Sequence, residues 1–241
     1  MTQRLLGDIR RTDERFSLIP ENAGVAVGLS GGKDSLALLT LLCAYRRIKP
    51  FALCALTLVP KGRMDIAPLQ ALCDRLQVPL QTRESDLFDT IFEQKNPCSL
   101  CARVRRGTLV NMAAENGCSH LALGHHLDDA LETLVMSLTR EGRFHTMAPK
   151  AHMERGGITV IRPLILTRES ALSAFCAREG LKPIKNPCPV DGQTARKEAR
   201  ILLEKMQGAC PNLSDKLTSA LLKADFFMPE DGHGGSIAGD Y

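Results

Sequence analysis

An apolar run, Gly24 to Leu29 (GVAVGL), feeds directly into Ser30-Gly31-Gly32-Lys33-Asp34-Ser35. A helical apolar pattern, Leu36 to Cys43 (LALLTLLC), leaves it. A strand that becomes a helix through two glycines constrains this chain more than any other feature. Glycine accepts the positive φ of such a turn and lets backbone amides come close to an anion. The helix N-terminus adds aligned N–H donors and a partial positive charge. Lys33 adds a full charge, and Ser30 and Ser35 add hydroxyls. Ser30, Gly31, Gly32, Lys33, Asp34 and Ser35 together predict a phosphate cradle. The loop is not the Walker pattern, which is longer and ends in Gly-Lys-Ser/Thr. An ordinary tight β–α turn is the bland alternative, but it does not require these residues in this order.

Strand-like and helix-like segments alternate along the rest of the chain. Residues 23–29, 51–59, 79–83 and 120–124 read as short buried parallel strands, and 158–162 (ITVIR) as a further one. Helical patterns fall at about 34–47, 66–77, 100–116, 128–140, 169–180, 194–207 and 214–226. This alternation predicts an α/β fold: a doubly wound, mostly parallel sheet of about five strands, with extra C-terminal helices. Ligands of such sheets bind beyond the carboxyl ends of the strands, at the switch in strand order. Three stretches are expected: a capping helix over 1–22, the main domain over 23–227, and a Gly-rich flexible tail over 228–241.

The 241 residues are 44% hydrophobic, enough for one large core, and no apolar run approaches the roughly 18 residues of a membrane span. The first residues are charged throughout, so a cytoplasmic protein without membrane attachment is expected. A net charge of +4 permits a polyanionic partner without requiring one. Nine cysteines in such a compartment are core filler, metal ligands or catalytic thiols rather than disulfides. Cys43, Cys54, Cys73, Cys118 and Cys176 sit in apolar patterns that suit packing. Cys210 is left open.

Cys98 and Cys101 differ, forming a C-x-x-C at the start of a predicted helix. There the helix dipole favours the thiolate that metals require. Cys188 lies in Asn186-Pro187-Cys188-Pro189, where flanking prolines hold an extended loop. Structural zinc normally takes four ligands. Three thiolates suit a [4Fe–4S] cluster with one iron open to an external ligand such as hydrosulfide. A redox pair or half a zinc site, with Cys188 a chance loop cysteine, is the alternative. Cys210 as a fourth ligand would have to reach past an intervening helix.

SGGKDS is identified as the PP-loop of the ATP-pyrophosphatase superfamily. With PCSLCARVRRG (97–107), LGHHLDDALETL (123–134), IRPL (161–164) and NPCP (186–189), the chain resembles the tRNA 2-thiocytidine synthetase family, TtcA, from about Val25 to Leu203. The resemblance implies a PP-loop ATPase fold of the adenine nucleotide alpha hydrolase type. It implies ATP on Ser30 to Ser35, a [4Fe–4S] cluster on Cys98, Cys101 and Cys188, and thiolation of cytidine at tRNA position thirty-two. It also implies a homodimer. The family usually reads GHHRDD where this chain has His126-Leu127-Asp128, and the C-terminal tail matches nothing in the family pattern.

The chemistry follows from a poor leaving group. Adenylation activates the 2-carbonyl oxygen of the base, with Mg²⁺ bridging the phosphates. Asp34 and Lys33 are the expected catalytic residues, joined by Asp128. Gly124 and Asp129 are expected to rim the ATP site, and Thr57 to lie near the adenine. The carboxylates of Asp128 and Asp129 would also suit a helix start. Arg103, Arg105 and Arg106, with Arg196, Lys197 and Arg200, are expected RNA contacts. Alternatively they are solvated helix faces. Sulfur is expected from a cysteine desulfurase or free sulfide. Rival readings are a tRNA 2-thiouridine synthetase, a PP-loop ligase that uses nitrogen, such as a lysidine synthetase, and a cluster-bearing redox sensor.

Overall fold

A computed structural model describes residues 2–61, 64–85, 97–154, 156–184 and 195–224, without side chains at 97–99. The helices are α1 (Thr2–Phe16), α2 (Lys33–Tyr45), α3 (Ala67–Leu76), α4 (Pro97–Glu115), α5 (Leu127–Met136), α6 (Glu169–Arg178), α7 (Ala195–Ala209) and α8 (Leu213–Lys223). The strands are β1 (Gly24–Gly28), β2 (Ala52–Pro60), β3 (Leu80–Ser85), β4 (His120–Ala122), β5 (Lys150–Met153) and β6 (Ile158–Ile161). Their order in the sheet is β3-β2-β1-β4-β6-β5, parallel throughout except for β5. The chain winds outward from β1 to β3, then returns to lay β4 on the other side of β1. The switch in strand order therefore lies between β1 and β4.

The doubly wound α/β expectation holds, with six strands rather than five. The missed strand, β5, is an antiparallel edge joined to β6 by a turn in which Gly156 and Gly157 take positive φ. Its sequence, KAHM, has no β-branched residue, so only the Gly-Gly pair before ITVI signals the hairpin. The helix expected over 128–140 is α5 followed by a π-helical turn, Ser137–Glu141.

Alternation along β1 divides the core. Val25 and Val27 face the larger cluster, built with α1, α2, α3, α5 and α6. Ala26, between them, faces Val110, Met112 and Ala113 of α4. Helix α1 shares the main core through Leu5 and Ile9, both buried. It is fastened by the buried carboxylate of Asp13. That group accepts from the Ile19 amide (2.8 Å), the Tyr45 hydroxyl (2.8 Å) and Lys49 Nζ (2.7 Å).

Candidate active site

The loop after β1 sits at the switch point. The Leu29 amide extends the ladder to Leu56 (2.8 Å), after which the chain leaves the sheet. Gly31 turns with φ of +82°, a conformation costly for any side chain. Helix α2 then starts with no side chain capping it. The first amides of a helix have no intrahelical partner, so those of Lys33 to Ser35 are left to face a ligand. Around them, Ser30 Oγ lies 3.2 Å from Ser35 Oγ, and Ser35 Oγ donates to the Gly32 carbonyl (2.9 Å). Gly124, at the end of β4, passes so close that a Cβ there would meet Asp34 C and Ser35 N at 3.1 Å. That approach seats the β4 loop against the first turn of α2.

Charged side chains from four helices close the rim. Lys33 Nζ is held by Asp34 Oδ1 (2.7 Å) and Glu169 Oε1 (2.8 Å). Burial pulls the ammonium down, but the bonds and charges of Asp34 and Glu169 outweigh it, so the net shift is upward. Burial raises Glu169, and Lys33 more than offsets this, leaving it below the usual carboxylate range. The other oxygen of Glu169 meets Arg200 (3.3 Å), whose Nε donates to the buried Glu132 (2.6 Å). Arg196 donates to Asp129 (2.9 Å). Burial raises Asp129, but the neighbouring His126 and His125 rings, the Arg196 guanidinium and the bond from the His126 amide bring it lower overall. Glu132 moves the other way, because burial outweighs its bond to Arg200.

The expected site residues occupy definite places in this frame. Asp129 and His126 form a reciprocal capping box at the start of α5. Asp128 accepts from the Glu169 amide (2.7 Å), so its carboxylate serves the first turn of α6. Both groups rim the crevice, and both hold helix ends. Thr57 is buried, its hydroxyl donating to the Leu29 carbonyl (2.9 Å), so it braces β2 against the loop that follows β1. Leu127, where the family pattern has arginine, is buried in the core. His125 Nδ1 is buried without a hydrogen-bond partner among the described residues, and burial, aided by the Arg162 charge, pushes the ring down to about 3. Arg196 and Arg200 already hold carboxylates of this chain, so RNA would have to compete for them. Lys197 and Arg103 are exposed, and Arg105 and Arg106 half-buried. Glu169, the partner of Lys33, is absent from the sequence reading, because a first-turn acid looks like ordinary dipole compensation.

The cysteine site is described in part. Helix α4 follows β3 and returns to β4, so its first turns lie at the carboxyl end of the sheet, with the phosphate loop. Cys98 and Cys101, one turn apart, share a face of α4. Cys101 is half-buried. The Cys98 side chain and all of Cys188 lie outside the described residues. The described residues on either side of Cys188 touch the rim. The Ile184 amide donates to the Gly31 carbonyl (2.9 Å), and Arg196 binds Asp129. Cys210 lies at the far end of α7, about 22 Å along the helix from Ala195 at 1.5 Å per residue. Among the described residues no three ligating side chains form a metal group, and two of the three expected ligands fall outside them.

Residues 7–204 match the PP-loop domain family. The tRNA-cytidine(32) 2-sulfurtransferase of Geobacter metallireducens is 34% identical over 230 residues, covering 91% of this chain and 89% of the relative. That of Syntrophotalea carbinolica is 35% identical over 232 residues, covering 92% and 86%. The chain belongs to the tRNA-cytidine(32) 2-sulfurtransferase family of PP-loop proteins. Among solved structures it is similar to the U34-tRNA thiolase NcsA from Methanococcus maripaludis with its [4Fe–4S] cluster. The TM-score is 0.76 and the identity 25%, over 95% of this chain and 79% of that one. The expected family and fold are thereby shown.

Proposed function

We propose that this protein is an ATP-dependent tRNA sulfurtransferase that converts cytidine at position thirty-two of tRNA to 2-thiocytidine. The observation that carries the reading is the tie between the two halves of the chemistry. The Ile184 amide bonds the Gly31 carbonyl, so the described chain that leads towards Cys188 is held at the phosphate loop as far as Ile184. Identity to the cytidine relatives exceeds that to the U34 thiolase, which favours cytidine over uridine.

The free amides at the start of α2 and the Lys33 ammonium hold the triphosphate, with Mg²⁺ neutralising it and Asp34 the nearest loop carboxylate for that ion. Asp34 and Glu169 keep Lys33 protonated and aimed until phosphate replaces them. The 2-oxygen of cytosine attacks the α-phosphorus, and pyrophosphate leaves. Replacement of the activated oxygen by sulfur then releases AMP. Cys98, Cys101 and Cys188 would hold the [4Fe–4S] cluster, which supplies a place to carry sulfur for transfer. The donor chemistry fits it: Cys98 and Cys101 are three residues apart on α4, the described chain before Cys188 ends at Ile184 against the phosphate loop, and Cys210 follows the far end of α7. Arg103, Arg105 and Arg106 follow the two cysteines on α4 as RNA contacts, joined by Lys197. Sulfur from a cysteine desulfurase or free sulfide belongs to the same reading, as does a homodimer, for which the exposed Ile201, Leu202 and Met206 of α7 offer a face.

Mass spectrometry of tRNA nucleosides from cells with and without the gene tests this. Loss of 2-thiocytidine is expected. Loss of a 2-thiouridine instead would move the substrate to uridine, and an unchanged profile would sink the sulfurtransferase reading. Protein purified anaerobically should be brown with about four irons per chain, and Cys98→Ser should lose them.

A further inference from the structure

At the opposite end of the sheet, two cysteines outside the chemistry above face each other. Cys54 is the third residue of β2, and Cys118 lies just before β4, with β1 between the two strands. Their Sγ atoms are 3.5 Å apart. Paired strands lie roughly 4.8 Å apart, so side chains two strands apart do not ordinarily touch. Gly24 removes the obstacle. A Cβ at Gly24 would meet Cys118 Cα and the Gly117 carbonyl oxygen at 3.0 Å, so the chain at 117–118 leans over the start of β1 only because that position has no side chain. Ala26, opposite Cys54 in register, is the next residue on that face, and its single methyl keeps the way open.

The pair differs from the packing cysteines of this chain. Cys43, Cys73 and Cys176 are buried. The thiols of Cys43 and Cys176 are directed at the Leu76 and Lys33 carbonyls, both at 3.3 Å. Cys54 and Cys118 are half-buried and directed at each other. The Cys54 thiol can donate to a Cys118 thiolate. That bond is the main reason why Cys118 is brought down to about 7 and Cys54 is pushed up. One sulfur is thus disposed to attack and the other to resolve.

We propose that Cys54 and Cys118 are a peroxide-reactive pair that closes reversibly to a disulfide at the amino end of the sheet. The Cys118 thiolate attacks one oxygen of hydrogen peroxide. The O–O bond breaks, hydroxide leaves, and the sulfur is oxidised to a sulfenic acid. The Cys54 thiol, as its thiolate, then attacks that sulfur. The S–S bond forms and the S–O bond breaks, and the hydroxyl leaves as water with the proton from Cys54. Two electrons pass from the two thiols to one peroxide, and a small-molecule dithiol reverses the change. The site does not depend on what the phosphate loop does, because it lies at the other end of the strands.

Peptide mapping of the full-length protein tests the pair. The protein is treated with a small excess of hydrogen peroxide, unfolded in an alkylating agent and digested. A cross-linked peptide joining Cys54 to Cys118, two hydrogens lighter than the separate peptides, is expected, and dithiothreitol should abolish it. Two alkylatable thiols are lost per chain, while Cys43, Cys73 and Cys176 keep theirs. Cys118→Ser should lose the cross-link and leave Cys54 alkylated. A Cys98→Ser/Cys101→Ser/Cys188→Ser variant should keep it, which separates the pair from any oxidation at the cluster site. The proposal is overturned if Cys118 advances to sulfinic acid without joining Cys54, if Cys54 is found joined to another cysteine, or if both remain alkylatable while peroxide is consumed.

Discussion

Asp13 and Lys33 each hold together a knot of charges, and the two knots serve different ends. Asp13 has a 1% exposed side chain and spends its carboxylate on an amide, a hydroxyl and an ammonium of its own chain. Nothing is left for a ligand. Lys33 is 29% exposed at the start of a helix that no side chain caps, and its two carboxylate partners are as open as it is. Burial makes the first knot a fastener for α1. Partial exposure makes the second an exchangeable contact, since an incoming phosphate competes only with groups that water already reaches.

Substituting Lys33 should separate the two most strongly. Lys33→Ala removes a cation placed over the loop, and tRNA-dependent pyrophosphate release should fall about 10²–10³-fold, the usual loss for a charge-stabilising donor. The urea midpoint should barely move, because the ion pairs are half-exposed. A large drop in midpoint with an unchanged rate per folded molecule would mean that the Lys33 knot is architecture too. Asp13→Ala should do the reverse. It leaves the Tyr45 hydroxyl and the Ile19 amide without an acceptor and should cost roughly 2–4 kcal/mol in urea unfolding. ATP turnover per folded molecule should stay at the parent value. Reduced turnover at full occupancy of the folded state would break the comparison from the other side.

The Lys33 half of the molecule was largely legible in the sequence, because its signals are local. Apolar strand, glycine turn and apolar helix lie within about twenty consecutive residues, and each reports its own backbone requirement. The same holds for β1, β2, β4 and β6, whose hydrophobic runs leave little choice of register, whereas β3 (LQTRES) is a half-buried to exposed edge and not the buried strand expected at 79–83. What escaped is what depends on distant partners. Glu169 meets Lys33 across 136 positions, a pairing that no spacing rule encodes. Arg196 and Arg200 read as a basic helix face, yet both turn to Asp129, Glu132 and Glu169. Strand β5 escaped because a four-residue edge carries no periodicity. Cys54 and Cys118 were read as packing, since only the sheet order and the missing Cβ of Gly24 bring them together.

A smaller effect, read in pH, sharpens the contrast further. His125 neighbours Asp129 and Arg196 of the crevice rim but, like Asp13, is withdrawn from water at the atom that matters. Its buried Nδ1 finds no acceptor or donor among the described residues, and the ring titrates near 3 instead of about 6.5. In the native state it stays neutral through mild acid, whereas the unfolded chain takes up a proton below about 6.5. Its contribution is therefore complete above that pH and is lost as pH falls towards 3. One proton over this window amounts to about 1.4 kcal/mol between pH 7.5 and 5.5. Glu169 and Asp129, both held below their ordinary values, give up their stabilisation only at lower pH, outside the interval. His120, lowered by burial, drifts the same way but is untouched by a change at His125. The difference in urea-unfolding free energy between pH 7.5 and 5.5 should thus be smaller in His125→Asn than in the parent by up to that amount. Equal falls in both proteins would show that the ring is protonated in the folded state, and that this corner of the crevice is as open to water as Lys33.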